Sequence, residues 1–155
     1  MSIFRKPDYN SHNKSGELPL EFKEVTKNQG LIVSWCPKTK FLAHQAIACF
    51  LTHCGWNSIL ETISADVPVI AYSQWTDQPT NANLLSDVFN IGVRLRPNNG
   101  GGINGEEVGK CIGEIVNGTN SEGYKKNAME LKLTMREGGS CRWRLIRQEY
   151  SFVRR

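Results

Sequence analysis

The 155-residue chain lacks most of the marks by which a sequence declares a compartment or a chemistry. No apolar run approaches the roughly 18–20 residues that a membrane-spanning helix requires. The opening MSIFRKPDYN carries basic residues but no apolar core of a secretory leader. Cytoplasmic residence is therefore the expectation. Five cysteines (Cys36, Cys49, Cys54, Cys111, Cys141) are odd in number and form no C-x-x-C pair. That argues against a disulfide framework and fits a reducing compartment. There is no D-x-D to hold a metal with a nucleotide, no G-x-x-x-x-G-K-[ST] phosphate loop and no internal repeat. His44, Cys49, His53 and Cys54 match no usual zinc spacing, so no metal site is expected. His53 and Cys54 are adjacent, and adjacent strand side chains face opposite ways, which disfavours a Cys–His nucleophile pair.

What is present reads as a globular chain, with 39% hydrophobic and 22% charged residues and length for one domain. The net charge of +4 is local rather than general. Residues 1–135 carry 13 basic and 13 acidic side chains, while the last twenty carry six Arg against Glu137 and Glu149. A basic tail with Trp143, Tyr150 and Phe152 is compatible with nucleic acid. A solvated or poorly formed end is the better reading, so no nucleic-acid partner is expected.

Short apolar runs alternate with short helical patterns. SIFR reads as a strand, and KPDYNSHNKSGE as an exposed loop. Residues 19–27 suggest a short helix. Leu31–Val33 reads as a strand buried on both faces, KTKFLAH as a helix, IACFLTH as a second buried strand and NSILETISA as a helix. VPVIAY is a third strand, Thr80–Asn90 a helix, and Ile91–Leu95 a fourth strand. This order predicts an α/β fold, a Rossmann-like parallel sheet with flanking helices. Asn104 is placed to cap a helix over Gly105–Asn117 whose core face is Val108, Cys111, Ile112, Ile115 and Val116. A second amphipathic helix over Ser121–Glu137 offers Met129, Leu131 and Leu133 for packing.

In open parallel sheets ligands bind beyond the carboxyl ends of the strands. Here those ends carry Ser34-Trp35-Cys36, His53 to Ser58, and Ser73 to Gln78. The glycine turn at Gly55 followed by Asn57-Ser58 opens a helix, and a helix N-terminus attracts anions. The plainer alternative is that Asn57 or Ser58 caps its own helix. Trp35 is suited to stack a base or to fill a core. Glu61, one turn after Asn57, is suited to ribose hydroxyls or to plain exposure. Asp77 and Gln78 suit vicinal hydroxyls of a sugar, or capping of the next helix.

The stretch Trp35–Gln78 resembles the 44-residue signature of plant secondary-product UDP-glycosyltransferases, reproducing W-x-P, THCGWNS, E, VP and QWTDQ without a gap. A looser likeness runs from about residue 3 to Ser140. The resemblance implies a GT-B fold of two Rossmann-like domains, with this chain the later part of the C-terminal, donor-binding one. It implies that Trp35 stacks on uracil, that the backbone of Cys36 pairs with its edge and that Glu61 binds the ribose. His53, Asn57 and Ser58, with the helix N-terminus at Gly55, would hold the diphosphate. Trp56, Trp75, Asp77 and Gln78 would surround the sugar, and the final Gln tends to accompany UDP-glucose. The implied reaction is inverting transfer from a UDP-sugar co-substrate to a small-molecule acceptor, without a metal or other cofactor. The family's catalytic His and its Asp partner are expected in an N-terminal acceptor domain outside this chain. None of the catalytic residues is therefore expected here.

Three positions depart from the signature. Lys38 stands where Gln is usual, at a UDP contact. Asp66 replaces a Gly, and Ser73 stands where Pro is common. The tail after Ser140 follows no family pattern, as a frameshift or altered splice would produce. The resulting partition is a lead-in over 1–30, a UDP-sugar-binding region over 31–140 and a divergent basic tail over 141–155. The leading expectation is a donor-binding piece that is inactive alone. The alternative is a non-catalytic UDP-sugar-binding module, or a partner of a full-length enzyme.

Overall fold

The structure is a computed structural model that describes residues 2–4, 24, 30–33, 35–98 and 102–137. It divides into two compact units, Met1–Pro37 and Lys38–Arg155. In the first unit, β1 (Ser2–Phe4) pairs in parallel with β2 (Leu31–Val33), Ile3 opposite Ile32. The expected strands are both present. Burial of β2 on both faces is not, since Leu31 is 63% exposed. Of the expected helix over 19–27 only Glu24 lies among the described residues, and it is helical. The segment after Glu137 lies outside them.

The second unit is built on a three-stranded parallel sheet in the order β3 (Phe50–Thr52), β4 (Val69–Ala71), β5 (Gly92–Arg94). Each crossover is a helix, as parallel pairing demands. Helix α1 (Lys38–Leu42) precedes the sheet, while the two crossovers are α2 (Trp56–Ala65) between β3 and β4 and α3 (Gln78–Asn83) between β4 and β5. Helix α3 runs into a π-helical turn over Leu84–Val88, closed by Phe89 N–H to the Leu84 carbonyl. The predicted helix over Thr80–Asn90 thus starts two residues earlier and changes pitch halfway. Then come α4 (Gly105–Asn117) and α5 (Ser121–Arg136).

Within this sheet only the central strand shows the double-sided burial that an all-apolar run implies. Val69, Ile70 and Ala71 are each at most 1% exposed, whereas Leu51 on the outer strand β3 is 48% exposed. Successive β4 side chains feed different cores, as a period of two requires. Val69 and Ala71 join Ile59 and Ile63 of α2, Leu85, and Ala128 and Leu131 of α5. Ile70 joins Leu95, Cys111 and Ile115 of α4, and Tyr124. Helices therefore cover the sheet with apolar side chains from both faces. A smaller cluster of Leu42, Ala65 and Val67 seats α1. Strands β4 and β5 approach so closely that a Cβ on Gly92 would lie 1.9 Å from the Val69 carbonyl oxygen, so this register requires glycine.

Helix α4 begins where expected, with the Asn104 side chain accepting from Glu107 N–H at 2.8 Å. Its core face is narrower than predicted. Cys111 and Ile115 are buried, Val108 and Ile112 are half-buried, and Val116 is exposed. On α5 the buried stripe is Tyr124, Ala128 and Leu131, while Met129 and Leu133 face solvent. The small Ala128 had little weight in the sequence pattern, yet it fits the close approach of α5 to the core.

Candidate functional site

The carboxyl ends of β3 and β4 bring the turn His53–Gly55, the first turn of α2 and the loop Ser73–Asp77 to one edge of the sheet. The ladder continues past the strands there, with Tyr72 N–H donating to the Thr52 carbonyl at 2.8 Å. Two non-glycine residues at this edge hold left-handed backbone, Cys54 at φ 63° and Thr76 at φ 57°. Such backbone persists only where neighbours enforce it. Cys54 N–H donates to Thr52 Oγ1 at 3.1 Å, and its carbonyl accepts from Asn81 Nδ2 at 2.8 Å. Thr76 Oγ1 shares its one hydrogen between the Trp75 carbonyl at 2.8 Å and Asp77 Oδ1 at 3.0 Å.

Gly55 is the N-cap of α2, in extended backbone, and no side chain caps the helix. Neither Asn57 nor Ser58 plays the capping role weighed for them, because both lie inside the first turn. That turn's N–H groups precede the first intrahelical bond, from Ile59 N–H to the Gly55 carbonyl. His53 lies directly over Gly55, since a Cβ there would stand 2.5 Å from His53 Nε2. Glycine therefore gives the imidazole room beside the positive end of the helix. His53 and Asn57 are exposed, and Ser58 is buried.

The second wall is the loop after β4. Gln78 is buried, and its Oε1 accepts from the backbone N–H of Gln74 at 2.9 Å and of Trp75 at 3.3 Å. The amide nitrogen of Gln78 is thus the end it has left to present elsewhere. Asp77 begins α3 without capping it through its side chain. Instead Asp77 Oδ2 accepts from Asn81 Nδ2 at 2.9 Å. Trp75 is 67% exposed and Trp56 is 42% exposed, so both indoles stand at the surface of this edge.

Glu61, on the second turn of α2, lies with Oε2 2.6 Å from Lys38 Nζ. The ammonium sits off the direction of a regular hydrogen bond, leaving that buried oxygen with a charge contact alone. The lysine that departs from the signature therefore meets the carboxylate expected to bind ribose. Trp35, 72% exposed, and the half-buried Cys36 belong to the first unit, Met1–Pro37. Asp66 ends α2 in left-handed backbone, at φ 52° and ψ 32°, as a position suited to glycine would. Its carboxylate contacts Lys132 Nζ of α5 at 2.8 Å.

The electrostatics separate reactive groups from packed ones. Burial pushes the Cys54 thiol up to about 11, against smaller opposing effects of the Tyr72 backbone and Arg94. Burial also raises Cys49. Neither thiol is a nucleophile at neutral pH. Among the described residues no three His, Cys, Asp or Glu side chains gather in a group fit for a metal ion. No helix among them is long and apolar enough to cross a membrane. The sequence reading missed Asn81, which is fully buried and ties the Asp77 loop to the Cys54 turn. Its only signal was the spacing of four from Asp77, which places both on one helical face.

Comparison with known proteins fits this geometry. A family described as UDP-glucoronosyl and UDP-glucosyl transferase matches residues 15–137. A UDP-glucosyltransferase from Hordeum vulgare subsp. vulgare is 47% identical over 132 residues, covering 83% of this chain and 28% of the relative. An anthocyanidin 3-O-glucoside 5-O-glucosyltransferase from Perilla frutescens is 47% identical over 112 residues, covering 72% and 24%. The crystal structure of Os79 from O. sativa in complex with UDP superposes with a TM-score of 0.73 at 41% identity, covering 74% of this chain and 26% of that one. A UDP-glucosyltransferase from Polygonum tinctorium gives a TM-score of 0.69 at 36% identity, with the same two coverages. Such relatives are GT-B glycosyltransferases, and the chain spans about a quarter of their length. With its parallel sheet, flanking helices and signature rim, the chain belongs to the UDP-glycosyltransferase family.

Proposed function

We propose that these 155 residues form the UDP-sugar-binding part of a glycosyltransferase that moves a hexosyl group, from UDP-glucose, to a small-molecule acceptor with inversion. The observation that carries this reading is the uncapped N-terminus of α2 with His53 over Gly55, facing solvent beside the Asp77 loop. Oriented N–H groups and an imidazole stabilise charge that grows on a departing diphosphate, because they are in place before the bond breaks. The helix first turn (Asn57, Ser58) and His53 hold the diphosphate, while Glu61 takes the ribose hydroxyls. Trp35 stacks on uracil and Cys36 pairs with its edge. Asp77, Gln78, Trp56 and Trp75 enclose the sugar. The Os79 crystal structure holding UDP supports the nucleotide assignment.

Sugar and nucleotide account for one partner only. The acceptor, and the base that removes its proton, come from an acceptor domain of the kind the longer relatives have room for. On their own these residues bind the donor and transfer nothing. Titration of the purified chain with UDP and UDP-glucose, followed by indole fluorescence and calorimetry, tests the binding. Incubation with UDP-glucose and a phenolic acceptor tests the rest, and any glucoside formed there refutes the dependence on a second domain.

A further inference from the structure

We infer that Asn81 is a positioning residue for the sugar half of the donor site, a role that rests on the donor-binding reading above. Its amide is fully buried, and both Nδ2 hydrogens are engaged, one by the Cys54 carbonyl at 2.8 Å and one by Asp77 Oδ2 at 2.9 Å. Both partners only accept, so the orientation of the amide is fixed by its neighbours. The other end of the amide, Oδ1, is buried and accepts no hydrogen bond. A side chain present for stability alone would not carry an unpaired buried acceptor, because that atom forfeits its water and gains nothing.

What the amide does achieve is geometric. It fastens the carbonyl of one left-handed residue, Cys54, and the carboxylate next to another, Thr76. Those two turns bear His53 and Gly55 on one side and Trp75 and Asp77 on the other. The same bond leaves Asp77 with Oδ2 held by Asn81 and Oδ1 held by Thr76. A carboxylate pinned at both oxygens accepts sugar hydroxyls through its remaining lone pairs without first being ordered. The Cys54 bond steadies the His53 turn, which meets the diphosphate common to UDP and UDP-glucose, whereas the Asp77 bond serves the sugar alone. The ratio of the two affinities therefore isolates what Asn81 does for the glucose.

The test is a pair of variants of the whole chain, Asn81→Ala and Asn81→Asp, each titrated with UDP and with UDP-glucose. Asn81→Asp keeps the volume and turns an acceptor toward Asp77, so it reports even where the alanine variant fails to fold. The expected result is a shift in the ratio of the two affinities against UDP-glucose of about tenfold, the loss of one hydrogen bond to a charged group. Any loss that passes through the Cys54 turn falls on UDP and UDP-glucose alike and cancels in the ratio. In an Asp77→Ala background the substitution at Asn81 should move the ratio no further. Equal losses for both ligands, or an unchanged ratio, overturn the inference and leave the donor reading standing. A wild-type chain that binds UDP but not UDP-glucose overturns the inference together with the sugar half of the donor reading, leaving only the nucleotide half. A wild-type chain that binds neither removes the donor reading, and the inference falls with it.

Discussion

Asp66 offers a direct measurement of strain, because its backbone cost and its side-chain contact can be varied separately. The residue sits at φ 52°, ψ 32° at the end of α2, while its carboxylate pairs with Lys132 at 2.8 Å. A non-glycine residue in this region costs about 1–2 kcal/mol, with Asp at the low end. The ion pair is partly exposed and returns only about 0.2–1 kcal/mol. We predict the outcome in a Lys132→Met background, where the pair is gone and the backbone is read alone. There Asp66→Gly should be more stable than Asp66→Ala by about 0.5–1 kcal/mol, the left-handed cost less the ~0.5–1 kcal/mol of extra freedom glycine has when unfolded. For a chain of this size that is a rise in melting temperature of about 1–4 °C. In right-handed backbone the order of the two variants would reverse. Urea melts followed by circular dichroism would read the difference, and an alanine variant as stable as the glycine one would refute the assignment of strain.

Three further outcomes follow from the same structure. Lys38→Gln frees the Glu61 carboxylate of its ammonium partner and should raise affinity for UDP by up to about fivefold, the worth of a half-exposed pair; weaker calorimetric binding would contradict the opposition of Lys38 to ribose recognition. Ile115→Ala empties the centre of the core between β4 and α4 and should cost about 2–5 kcal/mol in a denaturant melt, whereas a cost below about 1 kcal/mol would mean that this core is not packed. The Cys54 thiol, raised from the ordinary 9.0 to about 11 by burial, favours the folded state fully below pH 9.0. That contribution should drain away as pH rises from 9.0 toward 11, so Cys54→Ala should flatten the alkaline fall in melting temperature over that window. An unaltered slope would show that the thiol is not sequestered.

Much of the fold was legible because apolar runs and turn residues alternate at intervals that admit few topologies. Asn104 and Gly105 announced the start of α4, and Asp66 in place of the signature glycine marked the residue that closes α2 in left-handed backbone. Burial was less legible. Leu31, Leu51 and Val69 look alike in sequence, yet only Val69 lies on a central strand. The pitch change after Asn83 has no local signature, since an α-helix and a π-turn draw on the same residues. The rim residues from His53 to Gln78 could be listed in advance, but their support could not. Asn81 reaches back 27 positions to Cys54, and the pairing of Lys38 with Glu61 depends on how α1 packs beside α2. Both are consequences of packing rather than of pattern.

The parallel order of β3, β4 and β5 has a consequence for time as well as for geometry. Each pairing must wait for a helix-length crossover to close, and that entropy is lost before any contact repays it. The bond from Asn81 to Cys54 needs both crossovers placed, and the contact of Lys132 with Asp66 bridges 66 positions. Helices α4 and α5, by contrast, can form largely from their own neighbours. During refolding the rim should be the last region to set, with recovered nucleotide binding trailing recovered helical circular dichroism. Simultaneous recovery of the two signals would show instead that the loops and the sheet condense in one step.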